Sequence, residues 1–366
     1  MKVQVLQENF ARALTLCNHF VSSRAQLPVL ANTALVASKT KLQIKATNLE
    51  ISLSTAIGAK SEREGSITVP AKTLSDIINQ LPKQAISLEA DAEILKISTE
   101  NFNGKLSGIS INEFPQIPSN IEGEKISFKK NELLTSLSQV LFSASSDEAR
   151  PILTGVLCTK VDEQLVLVGT DGFRLSQKRI DIKKAGNLAK AIIPKTALAA
   201  LSRIASDEEE ISVQIKESEN QVLFQSGESV LSSRIIQGEF PPFEKIIPKE
   251  TRVKVSLDRV EFLRAVKLAS VFARDGGFIG TFKITKDGLT IFAESSRSGS
   301  QEMQVEARVE GEPLEILYNL HFVEEFLGVA SGESIEMNLT DPSAPGVFKD
   351  LKDSNFLHLI MPVKLN

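Results

Sequence analysis

Two hydrophobic periods alternate along this chain, and each switch between them marks an element. Leu6, Phe10, Ala13, Leu14, Cys17 and Val21 recur at three- and four-residue spacing, which predicts an amphipathic helix over residues 6–22. Strand-like runs follow over 30–37, 42–46, 51–57 and 65–69. Pro70 opens a second, shorter helix with Leu74, Ile77, Ile78 and Leu81 on one stripe, and a helix start is where proline fits best. After Pro82 the two-residue period returns over 85–88, 94–98 and 104–111, and the segment closes on Glu113-Phe114-Pro115.

The same order then recurs. A helix is predicted over 131–144, with Leu133, Leu134, Leu137, Val140 and Leu141 apolar. Pro151 stands 123 positions after Pro28, and each precedes an apolar strand-like pair, Val29-Leu30 and Ile152-Leu153. Ile193-Pro194-Lys195-Thr196-Ala197-Leu198 mirrors Val69-Pro70-Ala71-Lys72-Thr73-Leu74 at an offset of 124, and Glu239-Phe240-Pro241 repeats Glu113-Phe114-Pro115 at 126. A weaker third copy has a helix over 257–274, strands over 278–284, 289–293 and 301–309, a short helix over 320–329 and a last strand over 356–360. In the middle copy the run Leu165–Gly169 breaks at Thr170-Asp171-Gly172-Phe173, a strong turn signal. The equivalent breaks fall at Thr47-Asn48 and Ala293-Glu294, each 123 positions away. The period is a third of the 366 residues, far longer than a solenoid repeat. Each copy can hold its own core, which predicts three tandem similar α+β domains over 1–122, 123–247 and 248–366, each with two helices packed on antiparallel sheets.

Composition narrows the function by exclusion. Hydrophobic residues make up 42% and charged residues 24%, ordinary for a soluble globular chain. No apolar run reaches membrane-spanning length, and Met1–Val5 is too short and polar for a signal peptide, so a cytoplasmic location is expected. Cys17 and Cys158 sit inside apolar patterns and read as free buried thiols. His19, His321 and His358 lack metal-like spacing, and no phosphate loop, nucleophile elbow or zinc signature is present, so neither metal nor cofactor is expected. The acidic run 207–210 reads as a solvated loop and no acid–base–nucleophile set is recognisable, which argues against an enzyme. The net charge of −4 argues, taken alone, against non-specific nucleic-acid binding. Within the 257–274 helix, however, Arg264, Lys267 and Arg274 share a stripe opposite the apolar face; by itself that reads as a solvated helix face with no partner.

Five segments in register then carry a resemblance: Leu27-Pro28-Val29-Leu30, Val69-Pro70-Ala71-Lys72, Thr170-Asp171-Gly172-Phe173-Arg174-Leu175, Gly238-Glu239-Phe240-Pro241 and Met361-Pro362-Val363-Lys364-Leu365. Over its whole length the chain resembles the bacterial sliding clamps, the β subunits of replicative DNA polymerase. The resemblance implies a DNA clamp fold, with two chains forming a head-to-tail homodimer and a closed six-domain ring around double-stranded DNA. It implies a processivity factor without chemistry of its own, whose partners are the polymerase catalytic subunit, a clamp loader and other clamp-motif repair proteins. A clamp-like scaffold with no replication role is the alternative. By the same resemblance Arg24, Lys72 and Lys195, more loosely Arg203, and the pair Arg264 and Lys267 would face DNA. A partner-peptide pocket would be drawn from Thr170, Gly172, Phe173, Arg174, Leu175, Pro241, Ile246, Asn319, Phe322, Ser343, Pro345, Leu359, Met361, Pro362, Val363, Lys364 and Leu365. Arg174 would bind a ligand or make an internal bond. The dimer seam would join Leu106 and Ile109 to Val271 and Phe272, positions that also fit an ordinary core. The chain departs from the family pattern at Phe173 and Phe322, where polar-edged aromatics often occur, at Pro151, and at Asn366, one residue beyond the usual end.

Overall fold

The computed structural model describes residues 1–22, 27–182, 189–205, 208–297 and 299–364. The first third runs β1 (Lys2–Leu6), α1 (Gln7–Cys17), β2 (Asn32–Ala37), β3 (Lys41–Thr47), β4 (Ile51–Gly58), β5 (Lys60–Arg63), β6 (Gly65–Pro70), α2 (Ala71–Gln80), β7 (Ala85–Asp91), β8 (Ile94–Ser98) and β9 (Asn103–Ser107). The middle third runs β10 (Ile126–Lys129), α3 (Lys130–Leu141), β11 (Gly155–Val161), β12 (Gln164–Thr170), β13 (Arg174–Asp181), β14 (Ala191–Pro194), α4 (Lys195–Ile204), β15 (Glu210–Lys216), β16 (Gln221–Ser226) and β17 (Ser229–Arg234). The last runs β18 (Val253–Asp258), α5 (Arg259–Ala273), β19 (Ile279–Thr285), β20 (Gly288–Ser295), β21 (Gly299–Val305), β22 (Ala307–Glu310), β23 (Leu314–Asn319), α6 (Leu320–Val329), β24 (Ser334–Leu339), β25 (Gly346–Asp350) and β26 (Phe356–Ile360). Among the described residues every third thus has two α-helices, and the helix–strand order recurs as the offsets predict.

Several predicted boundaries move. Leu6 closes β1, a strand the pattern did not reveal, and α1 stops at Cys17, where one 3-10 turn (Asn18–Phe20) takes over. Residues 28–31 and 151–154 form 3-10 turns begun by a proline, because proline fixes a helical φ and donates no ladder hydrogen bond. Helix α3 ends at Leu141, and α5 begins at Arg259 because Asp258 caps it, accepting from Val260 N and Glu261 N at 2.9 Å. The strand expected over 104–111 ends at Ser107, and Ile111 starts a short 3-10 turn. The strand expected over 301–309 breaks at Glu306 into β21 and β22, which enter different sheets. Glu210 opens β15 instead of continuing a loop, while Asp207 lies outside the described residues.

The contacts divide the chain into two compact units. The first, from residues 1–131 and 196–235, has a five-stranded sheet, β5-β1-β7-β8-β9, and an eight-stranded sheet, β10-β15-β16-β17-β4-β3-β2-β6. Helices α1 and α2 pack together over the latter and bury Phe10, Leu14, Leu74 and Ile78. The second, from residues 132–182, 190–195 and 236–364, has a nine-stranded sheet, β14-β11-β12-β13-β26-β25-β24-β18-β22, and a four-stranded sheet, β21-β20-β19-β23. Its larger core is aromatic: Phe262, Phe282, Tyr318 and Phe348 meet successively edge to face, with ring centroids 5.4–6.2 Å apart. All described strand pairs are antiparallel.

The two large sheets join sequence thirds by the same device. In the first unit β4 of the first third pairs with β17 of the middle third, with Thr55 opposite Ser229 and Leu53 opposite Leu231. In the second unit β13 of the middle third pairs with β26 of the last, with Lys178 opposite Phe356 and Leu175 opposite Leu359. The smaller sheets end on β9 and β21, which have no further strand beside them among the described residues.

Candidate functional site: an apolar cavity on the second unit

The turn after β12 organises the site. Thr170 Oγ1 donates to Arg174 O at 2.6 Å and accepts from Gly172 N at 3.1 Å, while Asp171 Oδ1 accepts from Phe173 N and Arg174 N at 2.9 and 3.0 Å. Gly172 takes φ +93°, which favours glycine, and an added Cβ would also lie 3.3 Å from Arg150 Nη1. This closed turn sends the chain back as β13, so Leu175 comes opposite Leu359 and both become floor.

The cavity has a volume of about 280 Å³ and is lined by Leu153, Thr170, Gly172, Arg174, Leu175, Pro241, Pro242, Phe243, Lys245, Ile246, Leu359 and Met361. Leu175 and Leu359 are buried, whereas Ile246 and Met361 stand exposed at the mouth. Met361 is anchored by its backbone N, which donates to Phe173 O at 2.8 Å. The walls suit an apolar side chain, and burying one from a ligand contributes roughly 1.5–3 kcal/mol. Methionine at the rim adapts to more than one ligand shape.

Arg174 is an internal brace. Nε donates to Asp171 Oδ2 at 3.0 Å, Nη1 to Glu325 Oε2 and Nη2 to Phe142 O at 2.8 Å. Its guanidinium lies over the Phe322 ring, 4.4 Å from the centroid, and 5.4 Å from that of Phe142. Two carboxylates offset its charge. Of the two roles open for Arg174, the internal bond is the one its three partners make.

Eight of the residues expected at the pocket line the cavity: Thr170, Gly172, Arg174, Leu175, Pro241, Ile246, Leu359 and Met361. The others do not. Phe173 is 60% exposed at the turn tip. Phe322 lies under Arg174, and Asn319 caps α6, accepting from His321 N at 2.9 Å. Ser343 is exposed and donates to Asp341 Oδ1 at 2.7 Å, and Pro345 is half-buried. Val363 N ties the C-terminal segment to Leu317 O at 2.8 Å, between a half-buried Pro362 and an exposed Lys364. Leu365 lies outside the described residues. Leu153, Pro242, Phe243 and Lys245 were not anticipated. Leu153 was read as a strand residue, but its 3-10 turn carries it to the cavity. Phe243 precedes Ile246 by one turn of a 3-10 helix (Phe243–Ile246), a spacing that was available in the sequence.

The expected basic positions lie on helices. Lys72 on α2 and Arg203 in the last turn of α4 are exposed in the first unit, and Arg24 lies outside the described residues. In the second unit Arg264, Lys267 and Arg274 are exposed, and Arg264 approaches Glu261 at 3.6 Å. Lys195 is half-buried and committed, donating to Ala144 O at 3.2 Å and Ser146 Oγ at 2.6 Å; burial and the Arg174 charge lower its pKa. At the expected seam Leu106 is half-buried on β9 and Ile109 is held by a reciprocal backbone pair with Thr68. Val271 is 57% exposed, while Phe272 packs partly on the core.

No cluster of metal-ligating side chains occurs among the described residues. Cys17 and Cys158 are free and buried; burial pushes the Cys158 thiol up to about 12 and that of Cys17 higher still. No described helix is long and apolar enough to cross a membrane.

Three repeated helix-and-sheet domains, joined strand to strand and carrying an apolar cavity, define a clamp-type protein. The family models for the N-terminal, central and C-terminal domains of the DNA polymerase III beta subunit match residues 1–118, 127–242 and 244–364. The beta sliding clamp of Synechococcus elongatus is 30% identical over 376 residues, with both chains covered completely, and that of Staphylococcus aureus is 27% identical over 100% of this chain and 99% of its own. The crystal structure of the Bacillus subtilis DNA polymerase sliding clamp superposes with a TM-score of 0.95 at 26% identity, and that of the Bartonella birtlesii clamp bound to griselimycin with 0.92 at 28%, each covering 100% of both chains. The chain belongs to the beta sliding clamp family, the beta subunits of DNA polymerase III. It has the three-domain clamp fold and is a DNA sliding clamp, a processivity factor and not a catalytic enzyme.

Proposed function

We propose that two copies of this chain close head to tail into a ring of six domains, bounded near 1–122, 123–247 and 248–366, that encircles duplex DNA in the cytoplasm. The observation that carries this reading is the repeated strand junction. In both large sheets, the strand after the polar turn pairs with the last strand of the next repeat. The strands left for a third such junction are β21 and β9, and the next repeat after the third is the first repeat of a partner chain. A heterologous contact that closes by rotation gives a ring.

The junction rule also sets a register. Thr55, Lys178 and Gln304 hold the same rung of their hairpins, opposite Ile44, Leu167 and Thr290. Ser229 faces Thr55, and Ser229 and Asn103 each precede the repeated phenylalanine, Phe240 or Phe114, by 11 positions. Gln304 of one protomer then faces Asn103 of its partner, and Glu302 faces Lys105. The burial phase fits: Glu302 and Lys105 are exposed, while Gln301, Met303, Gly104 and Leu106 are half-buried. Opposite charges on facing strand positions favour the pair. Leu106 and Ile109 of one copy and Val271 and Phe272 of the other flank this seam.

In this reading Lys72, Arg203, Arg264 and Lys267 face the duplex, with Arg24 as a further candidate. Lys195 is the least available because its ammonium is already bonded. The ring holds DNA topologically, so few phosphate contacts are needed, and more would add salt-dependent affinity that slows sliding. The apolar cavity takes a short apolar segment of the polymerase catalytic subunit, of a clamp loader and of repair proteins. It is also where griselimycin, bound by the Bartonella birtlesii clamp, docks on this chain.

The direct experiment loads the protein onto a circular duplex with a clamp loader and then linearises the DNA. Co-elution with the circle and release after cutting are expected. Equal retention on linear and circular DNA would contradict encirclement.

A further inference from the structure

We propose that His358 is a positioning residue for the partner cavity, a neutral pin that holds the end of α3 against the two strands forming the cavity floor. The proposal rests on the reading of that cavity as the docking site.

His358 lies on β26 directly opposite Ser176 of β13, one rung from the floor pair Leu175 and Leu359. Its Nδ1 is 2.8 Å from Ser176 Oγ, which is 2.7 Å from Ser143 Oγ just beyond α3. This chain of three buried side chains ties three segments that nothing in local sequence joins. Phe326 stacks on the His358 ring at 5.4 Å and 8°, and Phe142 covers it at 5.1 Å. Phe142 in turn meets Arg174, through its ring and its carbonyl oxygen. The Arg174 carbonyl oxygen accepts the Thr170 hydroxyl that closes the cavity turn. A path of direct contacts therefore runs from His358 to two cavity-lining residues.

The pin works in one protonation state. His358 is fully buried and its Nε2 has no partner among the described residues. A charged ring would bury between two phenyl rings a cation whose Nε2 has no partner among the described residues. The nearest charge is also wrong. Arg174 repels a second cation, and its carboxylate partners Asp171 and Glu325 are already engaged. Lys178 and Asp353, on β13 and the loop before β26, pair with each other, and His321 lies beside Glu325 at 3.5 Å. Burial first, then Arg174, hold the imidazole well below its ordinary value, outweighing a backbone hydrogen bond at Leu175 that favours the charged ring. The pinned state is thus fully favoured above about pH 6.5 and loses ground as pH falls from there toward the folded-state value.

The experiment measures the griselimycin dissociation constant by calorimetry at pH 7.5 and 5.5 for the wild-type chain, H358Q, H358A, H321Q and M361K. The wild type and H321Q should bind equally well at the two pH values, because the buried ring stays neutral across this range. H358Q should bind within about twofold of the wild type, because Gln can still reach Ser176, whereas H358A, which removes the pin, should weaken binding by about three- to tenfold at both pH values. H358F, which keeps the ring sandwich without the bond to Ser176, replaces H358A if the latter does not fold and should weaken binding by a similar factor. An H358A or H358F that binds as tightly as the wild type, an H358Q as weak as H358A, or an H321Q as weak as H358A would overturn the role of His358. M361K should lose binding at both pH values; retention there would refute the cavity as the docking site instead.

Discussion

The Arg174 guanidinium lies over the Phe322 ring, 4.4 Å from its centroid, and the two residues come from strand β13 and helix α6, 148 positions apart in the sequence. With Asp171 and Glu325 this stack makes Arg174 the fixed point from which the cavity turn is built. Removing the side chain would strand two partly buried carboxylates. R174A should destabilise the second unit by about 2–4 kcal/mol, and R174K should recover less than half because lysine cannot bridge three acceptors in one plane. Chemical denaturation followed by tyrosine fluorescence reads this unit alone, since Tyr318 is buried there and the chain has 1 Tyr and no Trp.

Ile246 offers a way to disable docking without disturbing the fold. It is 45% exposed at the cavity mouth, so I246D should change stability by less than about 1 kcal/mol. A carboxylate facing an apolar ligand should weaken griselimycin by at least about tenfold and abolish stimulation of the polymerase. Calorimetry and primer extension check the two halves separately.

How much of this was legible in the sequence can be argued from particular residues. The three-fold period, the two helices per repeat and Thr170–Leu175 as the central turn were legible because local propensity and tertiary structure agree there. Helix α6 shows this, for its predicted and observed spans coincide. Strand pairings were not legible. Nothing local places Thr55 beside Ser229 or Leu175 beside Leu359, because those rungs depend on sheets assembled between repeats. The cavity was half legible for a related reason. Thr170 and Gly172 on the turn and Leu359 on β26 were among the expected positions and line the cavity, but Leu153 and Phe243 reach it through 3-10 turns, whose period matches neither template. Phe322 was expected at the pocket from the family resemblance, and nothing in its local sequence shows the cation above it.

The acid limb of stability should carry a signature of Asp353. Burial opposes ionisation of this carboxylate, but hydrogen bonds from Lys178 at 2.7 Å and Gln139 at 3.0 Å outweigh it and hold its pKa below the ordinary value. A depressed carboxyl contributes stability that is complete above about pH 3.9 and is lost as pH falls through the folded-state value. D353N should cost about 1–2 kcal/mol at pH 7 and lose part of the decline seen below pH 4. His358 acts at higher pH, so H358Q should preserve melting temperature between about pH 6.5 and 5 where the wild type loses it. Calorimetric melts across pH 3–8 would separate the two windows.

The central claim is a trans junction between β9 and β21, and charge reversal across it is the most direct test. Sedimentation of the wild-type chain should give 80.0 kDa, twice the 40.0 kDa of one chain. K105E and E302K should each raise the dimer dissociation constant by about tenfold or more, since each places like charges on facing positions, and the double variant K105E/E302K should restore it. A monomeric wild type, or single reversals that leave the dimer intact with no rescue in the double variant, would contradict the ring as built here.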